Sequence, residues 1–174
     1  MEINKTKTGV RIWTWVLFAG YLVLLVWTIL FKFGMAAPQF GAGVYRMPVN
    51  FIPFGAPMLS GGRIDWDEML FNVFAFLPLG LFLSILAIPR RAWLRVLIGL
   101  LVSAAFEALQ YVFALGSCDV TDVILNTAGT ALGVGLYYLL IKLLKGKTET
   151  VVDIVITAGA ALLLTLYAIA MIFG

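Results

Sequence analysis

An all-α, polytopic transmembrane bundle is the fold class this sequence predicts, and three observations predict it. Of the 174 residues, 63% are hydrophobic and only 12% are charged, against about 45–50% and about 25% in an average soluble domain. The apolar residues gather in blocks about as long as the roughly 20-residue helix that a bilayer core requires, not in the short alternating segments of an outer-membrane barrel. Lys and Arg flank these blocks unevenly, as the topology of a multi-pass chain demands. A water-soluble enzyme is excluded, and the length fits a single membrane domain over residues 1–174.

Five spans follow in order, over about 12–31, 69–88, 94–115, 123–141 and 152–173. The first follows Lys5, Lys7 and Arg11 and precedes Gly34-Met35-Ala36, a pattern shared with secretory signals. Its apolar stretch of about 20 residues exceeds the 7–15 of a signal peptide, so an uncleaved span is expected. The second has Asn72 close to its outer end and contains Pro78 and Gly80. Pro78 removes the backbone hydrogen bond to residue 74 and predicts a kink. The third carries Gly99, Ser103, Glu107 and Gln110 on one face, a track for a neighbouring helix. The fourth begins with Asp119, Asp122, Asn126, Gly129 and Gly133, spaced 3, 4, 3 and 4 and so also on one face.

Between the first two spans lies a long connection, 34–68, with four of the six prolines and six of the seventeen glycines. It is too apolar for a solvated loop, with Phe40, Tyr45, Phe51, Ile52, Phe54 and Trp66. An interfacial or partly re-entrant segment, or a lid over the helix ends, is expected.

Orientation follows from the cations. With the N-terminus in the cytoplasm, the inner side collects Lys5, Lys7, Arg11, Arg90, Arg91, Arg95, Lys142, Lys145 and Lys147, nine of twelve. Lys32, Arg46 and Arg63 then lie outside, which the positive-inside rule favours. The acids Asp65, Asp67, Glu68, Asp119 and Asp122 fall on the outer side.

The absence of histidine and the single cysteine, Cys118, exclude Ser-His-Asp and Cys-His catalysis, haem ligation, His-based zinc sites and any intramolecular disulfide. What remains is oxygen chemistry. Glu107 lies about eight residues, or roughly 12 Å, below the outer end of its span. A charge at depth costs roughly 2.5–3.5 kcal/mol, so it should face the protein interior beside a partner. Asn72, Glu107, Gln110, Asp119, Asp122 and Asn126 come from three spans and share the outer third of the membrane, which predicts an outward-opening polar pocket. Each also has a structural explanation. Asp119 can cap the fourth helix with Asp122 near its third position, Glu107 can be protonated and bond across helices, and Gly129 and Gly133 form a GxxxG packing motif.

Three blocks in order resemble the VanZ-like family of bacterial membrane proteins. They are Asn50-Phe51-Ile52-Pro53-Phe54, then Asn72 with Phe74, Phe76, Pro78, Leu79 and Gly80, then Glu107 and Gln110 with Asp119, Asp122, Asn126, Gly129 and Gly133. Together they cover about residues 50–140. Family members commonly carry a Gly-Arg pair before the acidic block, where this chain reads Gly116-Ser117, so an anion-binding group is missing. The resemblance implies a multi-pass protein of the bacterial cell membrane, associated with reduced susceptibility to teicoplanin-type glycopeptides.

Three functions are open at this level. The pocket formed by Asn72, Glu107, Gln110, Asp119, Asp122 and Asn126 can bind a lipid or lipid-linked envelope component, or a lipoglycopeptide antibiotic. Alternatively, Glu107 and Asp122 can act as general acid and base in an enzyme that modifies an envelope glycolipid or polymer. A lipid pathway is the third, with a homo-oligomer formed through Gly129 and Gly133. Asp119, Asp122 and Glu107 could also hold a hard divalent cation, since all available ligands are oxygens, but their spacing is not a metal motif, so neither metal nor cofactor is expected. Nucleic acid is excluded, because topology accounts for the basic residues.

Overall fold

A computed structural model describes residues 3–31, 49–55, 59–60, 63–64 and 66–144. Within them the chain forms α1 (Ile3–Phe31), a two-residue hairpin of β1 (Leu59–Ser60) and β2 (Arg63–Ile64), α2 (Trp66–Ile85), α3 (Ala92–Val112) and α4 (Val120–Leu144). Four segments are long and apolar enough to cross a membrane: Ile12–Leu30, Trp66–Ile85, Ala92–Val112 and Val120–Leu143. The expected fifth span, 152–173, and most of the 34–68 connection lie outside the described residues. The outward-turned helical surface is apolar, as Val23, Phe74, Leu101, Leu132 and Leu139 show.

Four boundaries differ from the sequence expectation for local reasons. Helix α2 begins at Trp66 rather than near 69, because Asp67 and Glu68 suit the positive N-terminal dipole of its first turn. It ends at Ile85 because Ala87 turns left-handed (φ 54). Ile88 N–H then donates to the Leu83 carbonyl at 3.0 Å and Ala87 N–H to that of Ser84 at 3.1 Å, a Schellman closure. The end of α3 repeats the device. Ala114 has φ 51, with Leu115 N–H on the Gln110 carbonyl at 2.9 Å and Ala114 N–H on that of Tyr111 at 3.3 Å. Helix α4 begins at Val120, three residues early, because Asp119 caps it.

Left-handed backbone costs an L-residue roughly 1–2 kcal/mol, and glycine avoids that penalty. Ala87→Gly and Ala114→Gly are therefore each expected to stabilise the protein by about 0.5–1 kcal/mol. Thermal unfolding in detergent measures it, and a fall in Tm for both variants would refute the assignment.

Helix α4 lies against α2 so closely that their backbones touch. A Cβ on Gly133 would overlap the Leu77 carbonyl oxygen, one on Gly129 that of Val73, and one on Gly80 that of Thr130. The GxxxG motif thus serves the α2–α4 contact within the chain. A homo-oligomer through Gly129 and Gly133 would need a face that α2 already occupies. On the other side of α4, Gly99 of α3 faces the Thr130 side chain, and Asn126 Nδ2 meets Ser103 Oγ at 2.9 Å. The small-residue track of α3 is therefore the seat of α4.

Helix α1 closes the bundle over an apolar core of Leu25, Ile29, Phe76, Leu79, Leu83 and Phe106. Phe18 and Tyr21 pack on Phe82 with ring centroids 5.2 and 5.6 Å apart. The Tyr21 hydroxyl donates to the Ala75 carbonyl at 2.8 Å. At the opposite end of the bundle from the acidic residues, Arg95 is buried and bonds the carbonyls of Pro89 (2.9 Å) and Arg90 (3.1 Å) and the Tyr138 hydroxyl (3.3 Å). That cation fastens the α2–α3 turn.

Candidate functional site

The C-terminal ends of α1 and α3 and the N-terminal ends of α2 and α4 meet at one end of the bundle. The N-cap of α4 organises that end. Asp119 Oδ1 accepts the Thr121 N–H at 2.8 Å, as a capping side chain should. In a capping box the residue at the third helical position would reach back to the Asp119 N–H. Here that residue is Asp122, and its Oδ1 accepts from Asn72 Nδ2 of α2 at 2.7 Å instead. The Asp119 N–H goes to Glu107 Oε2 of α3, also at 2.7 Å. A tertiary carboxylate has taken the place of the local one, which ties three helices at one point.

The segment Asn50–Phe54 locks this knot from outside. Asn50 forms an isolated parallel bridge to Asp119. Its N–H donates to the Cys118 carbonyl at 2.8 Å, and its carbonyl accepts the Val120 N–H at 3.0 Å. Its side-chain Nδ2 donates to Asp119 Oδ2 at 2.9 Å and to the Ile52 carbonyl at 3.1 Å, while Oδ1 accepts the Ile52 N–H at 3.1 Å. The Gly55 N–H closes a turn onto the Ile52 carbonyl at 3.1 Å, with Pro53 and Phe54 at its corners. Phe54 is held at φ 56, a corner that usually takes glycine, and its N–H donates to the buried Thr121 Oγ1 at 3.0 Å. Phe51, Ile52, Phe54 and Trp66 all remain exposed.

Beneath the knot is a cavity of about 290 Å³ lined by Ile29, Asp67, Glu68, Phe71, Asn72, Glu107, Gln110, Asp122 and Asn126. Five of the six residues expected to form a pocket line it: Asn72, Glu107, Gln110, Asp122 and Asn126. Asp119 is not among the lining residues, since its two oxygens serve Thr121 and Asn50. Sequence reasoning missed Asp67, Glu68, Phe71 and Ile29. The spacing of Glu68, Phe71 and Asn72 on one helical face was a usable signal for part of this wall. Among the described residues the lining holds four carboxylates and neither Lys nor Arg.

The two amides have the most telling geometry. Gln110 and Asn126 are each only 1% exposed. Gln110 Nε2 donates to the Ile29 carbonyl at 2.8 Å. A carbonyl only accepts, so the amide orientation is fixed and Oε1 must point away from Ile29. Oε1 of Gln110 and Oδ1 of Asn126 are both buried without a hydrogen-bond partner. A buried, unsatisfied acceptor costs about 1–3 kcal/mol, so a pair of them beside a cavity invites donors.

Metal chemistry finds little support in the same geometry. Among the described residues no three carboxylate or thiol groups converge as ligands, because Glu107, Asp119 and Asp122 turn to different partners. The Cys118 thiol is pushed above its ordinary range by burial and by the nearby Glu107, Asp119 and Asp122 carboxylates. It stays protonated, which makes it a poor nucleophile.

The family model described as VanZ/LLP1 matches residues 18–142. The chain belongs to the VanZ/LLP1 family. It is 37% identical over 130 residues to a protein called Protein VanZ from Enterococcus faecium, covering 70% of this chain and 71% of that one. No solved structure matches it. The VanZ/LLP1 match includes all nine described cavity-lining residues and the Asn50 anchor, so knot and cavity both belong to the VanZ/LLP1 part of the chain.

Proposed function

We propose that this VanZ/LLP1 protein binds a lipid-linked ligand or a lipoglycopeptide antibiotic in the cavity of Asn72, Glu107, Gln110, Asp122 and Asn126, and thereby lowers susceptibility to teicoplanin-type lipoglycopeptides. One observation carries the reading. Gln110 and Asn126, each with a buried amide oxygen that has no partner, line a cavity with four carboxylate residues at one end of an apolar bundle. The cation distribution supports an N-terminus in the cytoplasm of a bacterial cell and a cavity at the outer membrane face. There Phe51, Phe54 and Trp66, all exposed, are available to a fatty tail at the interface while the polar walls take the head. This division suits a tailed ligand better than a soluble one.

Purified protein in nanodiscs tests the reading with teicoplanin as the titrant. Saturable binding is expected, and Asp122→Ala should weaken it by about tenfold or more. The substitution removes a wall charge and the acceptor that orients Asn72. Absence of teicoplanin binding by the intact protein would overturn the antibiotic-binding form of the proposal. Absence of binding by lipid-linked ligands as well would overturn both.

A further inference from the structure

We propose that the segment Asn50–Phe54 is an interfacial anchor, which seats Phe51, Ile52 and Phe54 in the head-group layer of the bilayer and takes lipid as its partner. The inference is independent of what the cavity binds. Depth is its first support. Hydrogen bonds of Asn50 with Cys118 and Val120, and of Phe54 with Thr121, hold the segment level with the start of α4. The span Val120–Leu143 has 24 residues and so rises about 36 Å, against about 30 Å of hydrocarbon core. Upright and centred, it starts about 3 Å outside the core, among the head groups. The apolar surface of α2 also reaches the first residue of its span, since Trp66, Leu70 and Phe74, each four residues from the next, are all exposed.

Backbone chemistry is the second support. Irregular backbone beside hydrocarbon needs its polar groups satisfied within the protein. The N–H groups of Asn50, Ile52, Phe54 and Gly55 donate to the Cys118 carbonyl, Asn50 Oδ1, Thr121 Oγ1 and the Ile52 carbonyl, and Pro53 has no N–H. What the segment leaves outside is apolar: Phe51, Ile52 and Phe54 are 78%, 70% and 54% exposed. In water that exposure is unfavourable, whereas beside acyl chains it is not. A second copy of the chain fits less well. Three side chains of this size present roughly 400 Å², against about 800 Å² per partner in a stable interface. Asp119 joins Asn50 to Glu107, so the anchor holds the knot at head-group depth.

Nitroxide labels on Phe51→Cys and Ile52→Cys, each in a Cys118→Ser background and in phosphatidylcholine vesicles, test the depth. Oxygen dissolves in lipid and a nickel chelate stays in water, so the ratio of their relaxation effects reads immersion. The ratio is expected at least about threefold above that of the free label in buffer, and below that of Leu101→Cys on the exposed middle of α3. A ratio equal to that of the free label would place the segment in water and overturn the anchor. Poor access to both reagents would place it against protein and overturn the anchor equally; recovery when the protein is diluted in lipid would then identify a second copy. Unsubstituted protein gives an independent reading. A phosphatidylcholine with a photoreactive diazirine on its first acyl carbons should mark the peptide containing residues 51–54. Marking confined to the four helices would overturn the proposal even if the cysteine variants fail to fold.

Discussion

Gly133→Ala is expected to cost this protein its fold. A single methyl group on Gly133 would overlap the carbonyl oxygen of Leu77 and crowd the backbone of Gly80 and Leu81. What it meets is main chain, which no rotamer change can move aside. Overpacking a core with flexible neighbours costs about 1–3 kcal/mol, and here α2 and α4 must separate along their length. The expected loss exceeds about 3 kcal/mol, comparable to much of the stability of a small domain. Gly129→Ala should act alike, through the Val73 carbonyl. Gly135→Ala, two residues on, supplies the contrast, because nothing lies within 4 Å of its Cβ. Relieving helix-interior glycine should there raise stability by about 0.5–1 kcal/mol. Thermal unfolding of the three variants in one detergent measures the difference. Equal stability of Gly133→Ala and Gly135→Ala would mean that α2 and α4 do not touch as described.

That pair of glycines also shows how far the sequence could be read. Their spacing announced a close helix approach, but a repeat of small residues names no partner, and the partner proved to be α2 of the same chain. The 3-4-3-4 face of Asp119, Asp122, Asn126, Gly129 and Gly133 was legible for the same reason that any helical face is. Its residues nevertheless divide between two neighbours: Asp122 and the glycines meet α2, and Asn126 meets α3. Asp119 was legible as a cap, since capping is local. That its N–H would go to Glu107, and its second oxygen to Asn50 across 69 positions, could not be read from a local rule. The early ends of α2 and α3 were hidden too. Both rest on alanines in a left-handed conformation, where a sequence reader looks for glycine.

On the proposed reading Glu107 has two tasks, and Glu107→Gln is expected to spare the fold while removing binding. The carboxyl group accepts the Asp119 N–H through Oε2 at 2.7 Å, and in the proposed function it presents a negative charge to the cavity that it lines. A glutamine side chain has the same length, and its amide oxygen can accept the same N–H. Only the charge is lost. A drop of about 1 kcal/mol or less is therefore expected, read as a Tm shift of about 2–4 °C. Teicoplanin affinity and protection of the host, by contrast, should fall about tenfold or more, because a charge-assisted contact becomes a neutral one. Glu107→Ala should lose both functions. It strips the acceptor from a buried N–H at the start of α4, an added cost of about 1–3 kcal/mol. Full protection by Glu107→Gln would show that Glu107 holds the helices together and contributes no charge to recognition. Loss of stability equal to that of Glu107→Ala would show that the ionised form is needed at the knot itself, where the dipole of α4 favours negative charge.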